Sequence, residues 1–271
     1  MLPETPQPPP AVGLAQAFAA ARDERRAALV VYATAGFPAP EQGDAALAAL
    51  AEAGADVIEL GVPFSDPLAD GPTIQAASHR AIAQGVDLEW TLAALRRFRA
   101  RHATPVVVFS YLNPVLGYGL QRFIADATAA GAQGVLLTDL PVGADPEMEA
   151  AFAASPLDLV RLVAPTTTPA RARAIAQRSA GFVYYISRTG VTGAQAEVAA
   201  GVGERVAALR AVSPVPVAVG FGIANAEQAA RVAGLADGVV VGSAVVDALA
   251  RGGVAAARAL VASLRAAMAQ P

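Results

Sequence analysis

Cysteine is absent from this sequence, which excludes disulfide bonds, thiol nucleophiles and cysteine-ligated metal sites. Lysine is absent as well, since all 20 basic residues are arginine. Without lysine the chain cannot perform Schiff-base aldolase chemistry, tether a pyridoxal cofactor or build a lysine-containing P-loop. The two histidines, His79 and His102, lack the spacing of metal ligands, and we expect both at the surface. Acid–base chemistry is therefore left to carboxylates and tyrosines.

The composition is that of one soluble domain: 271 residues, 55% of them hydrophobic, and a formal net charge of −3. Mild acidity argues against a nucleic-acid or anionic-membrane partner. The N-terminus has no basic region followed by an apolar segment, so we expect no secretory signal. Uncharged runs such as 105–121 are interrupted by proline, asparagine and glycine and predict no membrane span. We therefore expect a cytoplasmic enzyme.

Strand-like and helix-like segments alternate eight times along the chain. Residues 1–10 are proline-rich and expected to be flexible, and a helical pattern over 12–24 is placed to cover the lower end of a barrel. Several predicted strands are continuous apolar runs, which suit parallel strands buried on both faces. Eight such units predict an α/β fold, a (β/α)8 TIM barrel over residues 11–271, with an open doubly wound sheet as the alternative.

In such a barrel, the loops that follow the carboxyl ends of the strands build the active site. The predicted strands lie at 28–34, 56–60, 105–110, 133–138, 157–163, 181–187, 215–220 and 237–242. The predicted helices lie at 41–52, 73–84, 88–101, 120–130, 145–154, 169–178, 203–211 and 226–233, with a final helix from about Val254.

The most informative stretch is 56–75, which begins as an apolar strand-like run and carries Glu59 towards the end of that run. It then breaks on glycine and proline, crosses a loop that contains Asp70, and enters a helical pattern at Pro72. Asp70 alone has an ordinary explanation as a turn residue or helix cap. Glu59 has none, because a carboxylate at the end of a buried strand is costly to bury without a function.

Glycine-bearing turns follow each of the last three predicted strands, at 187–193, 220–222 and 242–243. Glycine lets the backbone approach a ligand closely, and the amides at a helix N-terminus favour an anion. One such turn is an ordinary connection, but the loops after the last two strands of a barrel often bind phosphate. We therefore predict a phosphorylated substrate, with 187–193 as a mobile lid or, alternatively, a solvated connection.

Five motifs along the chain resemble the tryptophan synthase alpha family. They are ELGVPFSDPLADGPTIQ at 59–75, YLNP at 111–114, TDLP at 138–141, YYISRTGVTG at 184–193 and GFG at 220–222. The resemblance implies a lyase of tryptophan biosynthesis that cleaves indole-3-glycerol phosphate to indole and D-glyceraldehyde 3-phosphate. It also implies that this chain carries no cofactor. A beta subunit, joined to it in an alpha2-beta2 heterotetramer, would carry pyridoxal phosphate (PLP) and receive the indole through a tunnel.

By this resemblance, Glu59 is the catalytic acid and base, which protonates C3 of the indole ring and takes the proton of the glycerol hydroxyl. That role needs a pKa near neutrality, and partial burial would supply it. Asp70 resembles the carboxylate that accepts a hydrogen bond from the indole N–H and works best ionised, so the two acids need different environments. Tyr184 resembles a catalytic tyrosine close to the glutamate, with core packing as the alternative.

The resemblance also implies binding residues that the patterns alone would not select. The indole slot would be lined by Tyr32, Ile74, Phe109, Tyr111 and Leu136. The residues that bind the substrate phosphate would be Thr192, Gly193, Phe221, Gly222, Gly242 and Ser243. The residues facing the beta subunit would be Pro63, Pro67 and Asn113, and Asp139 would support the Asp70 loop. The family often has phenylalanine where Tyr32 stands, which alters the pocket but no catalytic position.

Other functions remain open at this point. A free-standing indole-3-glycerol-phosphate lyase on the same barrel would release indole without a partner. A non-catalytic barrel would only bind and regulate a partner, but retention of Glu59 and Asp70 argues against it. A different phosphosugar isomerase is disfavoured because no histidine or lysine is placed to help.

Overall fold

The computed structural model describes residues 12–187, 197–220 and 222–269. Eight parallel strands pair in chain order, and β1 also pairs with β8, so the sheet closes into a barrel. The strands are β1 Ala28–Thr34, β2 Val57–Gly61, β3 Val106–Ser110, β4 Gly134–Leu137, β5 Asp158–Val163, β6 Val183–Ile186, β7 Val217–Gly220 and β8 Gly238–Val241. The prediction of a (β/α)8 barrel is confirmed, and the open doubly wound sheet is excluded.

Helices surround this barrel, with two of them between β2 and β3 as the sequence predicts. They are α1 Leu14–Asp23, α2 Pro40–Glu52, α3 Pro72–Ala83, α4 Leu88–Arg99, α5 Leu112–Tyr118, α6 Leu120–Ala130, α7 Pro146–Ala153, α8 Pro169–Gln177, α9 Glu197–Arg210, α10 Ala226–Ala233 and α11 Ser243–Ala267. Across the described part of the chain, no helix combines the length and apolarity that crossing a membrane requires.

Two helical segments differ from the sequence prediction. The short α5 was not expected, and it is separated from α6 by Gly119, whose positive φ of 94° ends one helix before the next begins. The last helix begins at Ser243, not Val254, and Gly253 (φ 65°, ψ −160°) divides it into two pieces. In the sequence, the pair Gly252–Gly253 indicates a helix boundary. The predicted helix from about Val254 therefore matches only the second piece, which follows Gly253.

The lower end of the barrel is closed by α1, as expected. Phe18 packs so tightly against Gly238 of β8 that a β-carbon there would lie 2.7 Å from the phenylalanine ring. Leu14 approaches Gly181, just before β6, in the same way. Both side chains belong to an apolar cluster inside the strands. With this end closed, the opening lies at the carboxyl ends of the strands, where the candidate carboxylates stand.

The two histidines lie outside that opening. His79 is exposed on α3, with its Nε2 3.0 Å from the carbonyl oxygen of Ser65. His102 is half-buried, not fully at the surface as expected, because its ring stacks on Phe98 at 4.7 Å. Neither imidazole lines the cavity that contains Glu59.

Candidate active site

Glu59 points into the barrel from the middle of β2. Its Cα is in register with Tyr32 of β1 on one side and Val107 of β3 on the other. The residue is 1% exposed, and its Oε1 has no hydrogen-bond partner within the described residues. Burial raises the pKa of the carboxyl group to about 8. Glu59 is therefore protonated at neutral pH, which suits a group that must give a proton away.

Asp70 lies on the loop between β2 and α3. The N-cap of α3 is Gly71, so the ordinary explanation of Asp70 as a side-chain helix cap is wrong. Its Oδ2 instead accepts a hydrogen bond from the hydroxyl of Tyr111 at 3.0 Å. Burial raises the pKa of Asp70 to about 6, and the bond from Tyr111 acts in the opposite direction. At neutral pH Asp70 is mostly ionised while Glu59 is mostly protonated.

A cavity of about 450 Å³ opens at the upper end of the barrel and contains both carboxylates. Its volume is in the range of pockets that enclose a small-molecule ligand. Nine of the predicted site residues line it together: Tyr32, Glu59, Asp70, Ile74, Phe109, Tyr184, Gly222, Gly242 and Ser243. These residues come from both halves of the chain, and closure of the barrel brings them to one place.

Aromatic side chains form one wall of this cavity. The rings of Tyr32 and Phe109 meet edge to face, with centroids 5.2 Å apart and an angle of 80°. Tyr184, from β6, lies over Gly220, where a β-carbon would come within 2.7 Å of its hydroxyl. Burial, reinforced by the charges of Glu59 and Asp70, holds the pKa of Tyr184 well above its usual value. Tyr184 therefore stays protonated and keeps a hydrogen to donate into the cavity.

Tyr111 and Leu136 are placed differently from the expectation that they line the slot. Tyr111 acts on the cavity through its bond to Asp70. Leu136 is fully buried in the cluster against which Phe109 and Tyr184 pack, so it supports the cavity floor. Successive layers of side chains fill a barrel, and Leu136 belongs to a layer below the one that faces the opening.

The opposite wall of the cavity has the features of an anion site. Gly242 is the N-cap of α11 and Ser243 its first residue, so the free amides of a helix N-terminus face this wall. Gly222, with φ of 84°, precedes α10 on the neighbouring loop. The predicted phosphate contacts Thr192, Gly193 and Phe221 lie outside the described residues.

Several lining residues were not selected from the sequence. Leu162, Ile186 and Val240 lie near the carboxyl ends of β5, β6 and β8, and this position is the signal that could have identified them. Asp247 lies one turn into α11 and pairs with Arg251 at 3.2 Å. It was missed because the helix was expected to begin only after it.

The predicted partner-facing residues differ in exposure. Pro63 and Pro67 are buried in this chain, whereas Asn113 is exposed. The strongly exposed apolar side chains of the same two segments are Leu68, at 91%, and Leu116, at 53%.

Asp139 supports the start of α5, beside the Asp70 loop. Its Oδ1 accepts a hydrogen bond from the backbone N–H of Leu112 at 2.8 Å. Leu112 directly follows Tyr111, so the contact holds the residue that binds Asp70. Asp139 is therefore linked to the Asp70 loop only through Leu112 and Tyr111.

Comparison with known proteins shows the family and agrees with the barrel fold. A model of the family described as tryptophan synthase alpha chain matches residues 18–270. A tryptophan synthase alpha chain of Geobacter sulfurreducens is 52% identical over 233 residues, which are 86% of this chain and 88% of the relative. A chain of the Mycobacterium tuberculosis tryptophan synthase structure superimposes with a TM-score of 0.88 at 42% identity, covering 97% of this chain and 100% of that one. The structure of tryptophan synthase subunit alpha from Legionella pneumophila gives a TM-score of 0.86 at 36% identity, covering 95% and 99%. The chain therefore belongs to the tryptophan synthase alpha chain family.

Proposed function

We propose that Glu59 and Asp70 carry out the reaction of this lyase, the cleavage of indole-3-glycerol phosphate to indole and D-glyceraldehyde 3-phosphate. The observation that carries the proposal is the pair of carboxyl groups in one cavity with pKa values of about 8 and about 6. Between these values one group is an acid and the other an anion. Two acids whose environments separate their pKa values are suited to different catalytic roles.

The protonated Glu59 transfers its hydrogen ion to C3 of the indole ring, which makes the ring cationic. The resulting carboxylate takes the proton of the glycerol hydroxyl next to the ring. As that proton leaves, a carbonyl forms, the carbon–carbon bond breaks and its electron pair returns to the ring. Indole and the aldehyde result, and Glu59 is protonated again. The ring is the electron sink, so the step requires no imine.

Asp70 accepts the hydrogen bond of the indole N–H and stabilises the positive charge that develops on the ring. Tyr184 donates its hydroxyl hydrogen within the same cavity and remains neutral. The substrate phosphate binds at the wall formed by Gly222, Gly242 and Ser243, with Thr192, Gly193 and Phe221 as further contacts. The planar ring packs against the aromatic wall that Tyr32 and Phe109 form together.

We also propose a beta subunit of tryptophan synthase as partner, in an alpha2-beta2 heterotetramer. In this complex PLP is bound by the beta subunit and no cofactor by this chain. The exposed Leu68 and Leu116 support a docking face on the loop after β2 and on α5, beside the exposed Asn113. A cytoplasmic location fits this metabolic role. A free-standing lyase is the second candidate, and the isolated chain would then be fully active.

The test is indole release from indole-3-glycerol phosphate, with and without a purified beta subunit. Glu59→Gln should lower kcat at least a hundredfold, because the amide neither gives nor takes the proton. Glu147→Gln, an exposed glutamate of α7, is the matched control and should leave kcat unchanged. Indole formation at the normal rate by Glu59→Gln would overturn the acid–base role. Slow turnover by the isolated chain that rises on adding the beta subunit supports a role as a synthase subunit. Rapid turnover by the isolated chain supports the free-standing lyase.

A further inference from the structure

The hydroxyl of Tyr111 makes two hydrogen bonds to consecutive residues of the loop between β2 and α3. It accepts a hydrogen bond from the backbone N–H of Ala69 at 2.9 Å and donates one to Oδ2 of Asp70 at 3.0 Å. The side chain is itself well held, since Tyr111 is 5% exposed and its ring packs on Phe64 with centroids 5.2 Å apart. A buried side chain with two fixed partners is restricted in position.

The direction of these bonds is determined by the groups involved. A backbone N–H can only donate, so the phenol oxygen must accept from Ala69. The single proton of the phenol is then directed to Asp70, whose Oδ2 must accept. A bond of this kind is strongest when the carboxyl group is ionised. It occupies one carboxylate oxygen and leaves Oδ1 for another donor.

We propose that Tyr111 is a positioning residue that fixes the Asp70 carboxylate, ionised and with Oδ1 directed to the substrate N–H. The inference rests on the proposed role of Asp70 and adds a residue that acts through it. Tyr111 is itself held from the neighbouring strand connection, because Asp139 binds the N–H of Leu112 at the start of α5. The Asp70 loop is thus held by contacts that originate at β3 and β4.

The electrostatics agree with this geometry. Burial raises the pKa of Asp70, and the Tyr111 hydrogen bond opposes that rise. Removing the hydroxyl should therefore raise the pKa of Asp70 further and protonate it at a pH where the wild-type group is still charged. Phenylalanine keeps the packing on Phe64, so Tyr111→Phe removes the two hydrogen bonds of the hydroxyl, to Asp70 and from Ala69, and leaves the ring in place.

The experiment compares Tyr111→Phe with Tyr118→Phe, which removes the same kind of bond at a distance from the cavity. The hydroxyl of Tyr118 donates to Asp126 at 2.7 Å. The pH dependence of kcat/KM for indole-3-glycerol phosphate is measured for both variants and for the wild-type chain. In Tyr111→Phe the acidic limb should move upward by about one to two pH units, with about a fivefold to fiftyfold loss of kcat/KM at pH 6. In Tyr118→Phe the limb should stay in place.

An acidic limb that is unchanged in Tyr111→Phe, or that moves equally in both variants, would overturn the inference. Asp70→Asn separates this failure from failure of the proposed function. If Asp70→Asn abolishes indole release but Tyr111→Phe leaves the limb in place, only the positioning role is wrong. If Asp70→Asn releases indole normally, the proposed role of Asp70 fails and the inference fails with it.

Discussion

Tyr32 lies so close to Gly61 that a β-carbon on the glycine would be 2.1 Å from the tyrosine hydroxyl oxygen and 2.5 Å from the ring carbon that bears it. Gly61 ends β2, and Tyr32 lies two residues before the end of the neighbouring β1, in register with Glu59. The absence of a side chain at position 61 therefore makes room for the aromatic wall of the cavity. The hydroxyl of Tyr32 fits only because of this glycine.

Gly61→Ala should accordingly lower the free energy of unfolding by about 1–3 kcal/mol, the usual cost of overpacking. It should also raise the KM for indole-3-glycerol phosphate, because Tyr32 must move into the slot. Denaturant unfolding and steady-state kinetics measure the two effects. Gly117→Ala is the control, since a β-carbon there meets no atom within 4 Å. If the two variants had the same free energy of unfolding, the predicted clash between Tyr32 and a β-carbon at position 61 would be wrong.

The catalytic rate should have a maximum between two pH values. Below about pH 6 Asp70 becomes protonated and loses its charge, and above about pH 8 Glu59 loses the proton that it must donate. We therefore expect a bell-shaped profile of kcat/KM with limbs near these values. Measurement from pH 5 to 9 tests it. A rate that continues to rise to pH 9 would show that the free enzyme does not use Glu59 as an acid.

Glu59 should also make the fold less stable in alkaline solution. Its pKa is near 4.5 in the unfolded chain and about 8 in the folded one, so between these values the folded state binds a proton that the unfolded state does not. The free energy of unfolding therefore falls as the pH rises through this window. The slope is on the order of 1.4 kcal/mol per pH unit, which gives a total of a few kcal/mol.

Glu59→Gln removes this dependence, because the amide does not ionise. The variant should have the same free energy of unfolding as the wild-type chain near pH 4.5 and a higher one at pH 9. Urea unfolding midpoints at the two pH values measure the difference. Glu147→Gln, an exposed position, should change neither value. A pH-independent difference between Glu59→Gln and the wild-type chain would show that Glu59 is not buried in solution.

The exposed Leu68 should contribute to binding of the beta subunit. Leu68→Ser should weaken the complex about tenfold or more, as expected for an apolar side chain that becomes buried at an interface. Leu235→Ser is the matched control, because Leu235 is exposed on the connection before β8, at the opposite end of the barrel. Analytical ultracentrifugation or calorimetry measures the affinity. Equal weakening by both substitutions would argue against a docking face at Leu68.

Local patterns in the sequence were sufficient for much of the fold. The apolar runs that form β3 and β8 are short but uninterrupted, with Pro105 directly before β3 and Gly242 directly after β8, so their position along the chain follows from the residues. The start of α11 was not predictable in the same way. Its first piece is short and lies between a strand and a glycine pair, so the sequence placed the start of the helix after those glycines.

Burial, in contrast, is a property of the assembled barrel. Pro63 and Pro67 were predicted to face the beta subunit, yet both are buried in this chain, and the large apolar side chain exposed on that loop is Leu68. Leu136 reads as a pocket residue and belongs to the layer beneath. Which of several apolar residues faces solvent depends on what packs against it, and sequence neighbours do not decide this.

By itself, the sequence determined the alternation of eight strands and helices, the exclusion of lysine and cysteine chemistry, and the choice of Glu59 and Asp70. Only the tertiary structure decided how these two acids differ. Glu59 has no partner for Oε1 among the described residues, whereas Asp70 accepts a bond from Tyr111, 41 residues away along the chain. The pKa of a carboxyl group depends on its desolvation and on nearby donors, and both arise only when distant strands meet in one barrel.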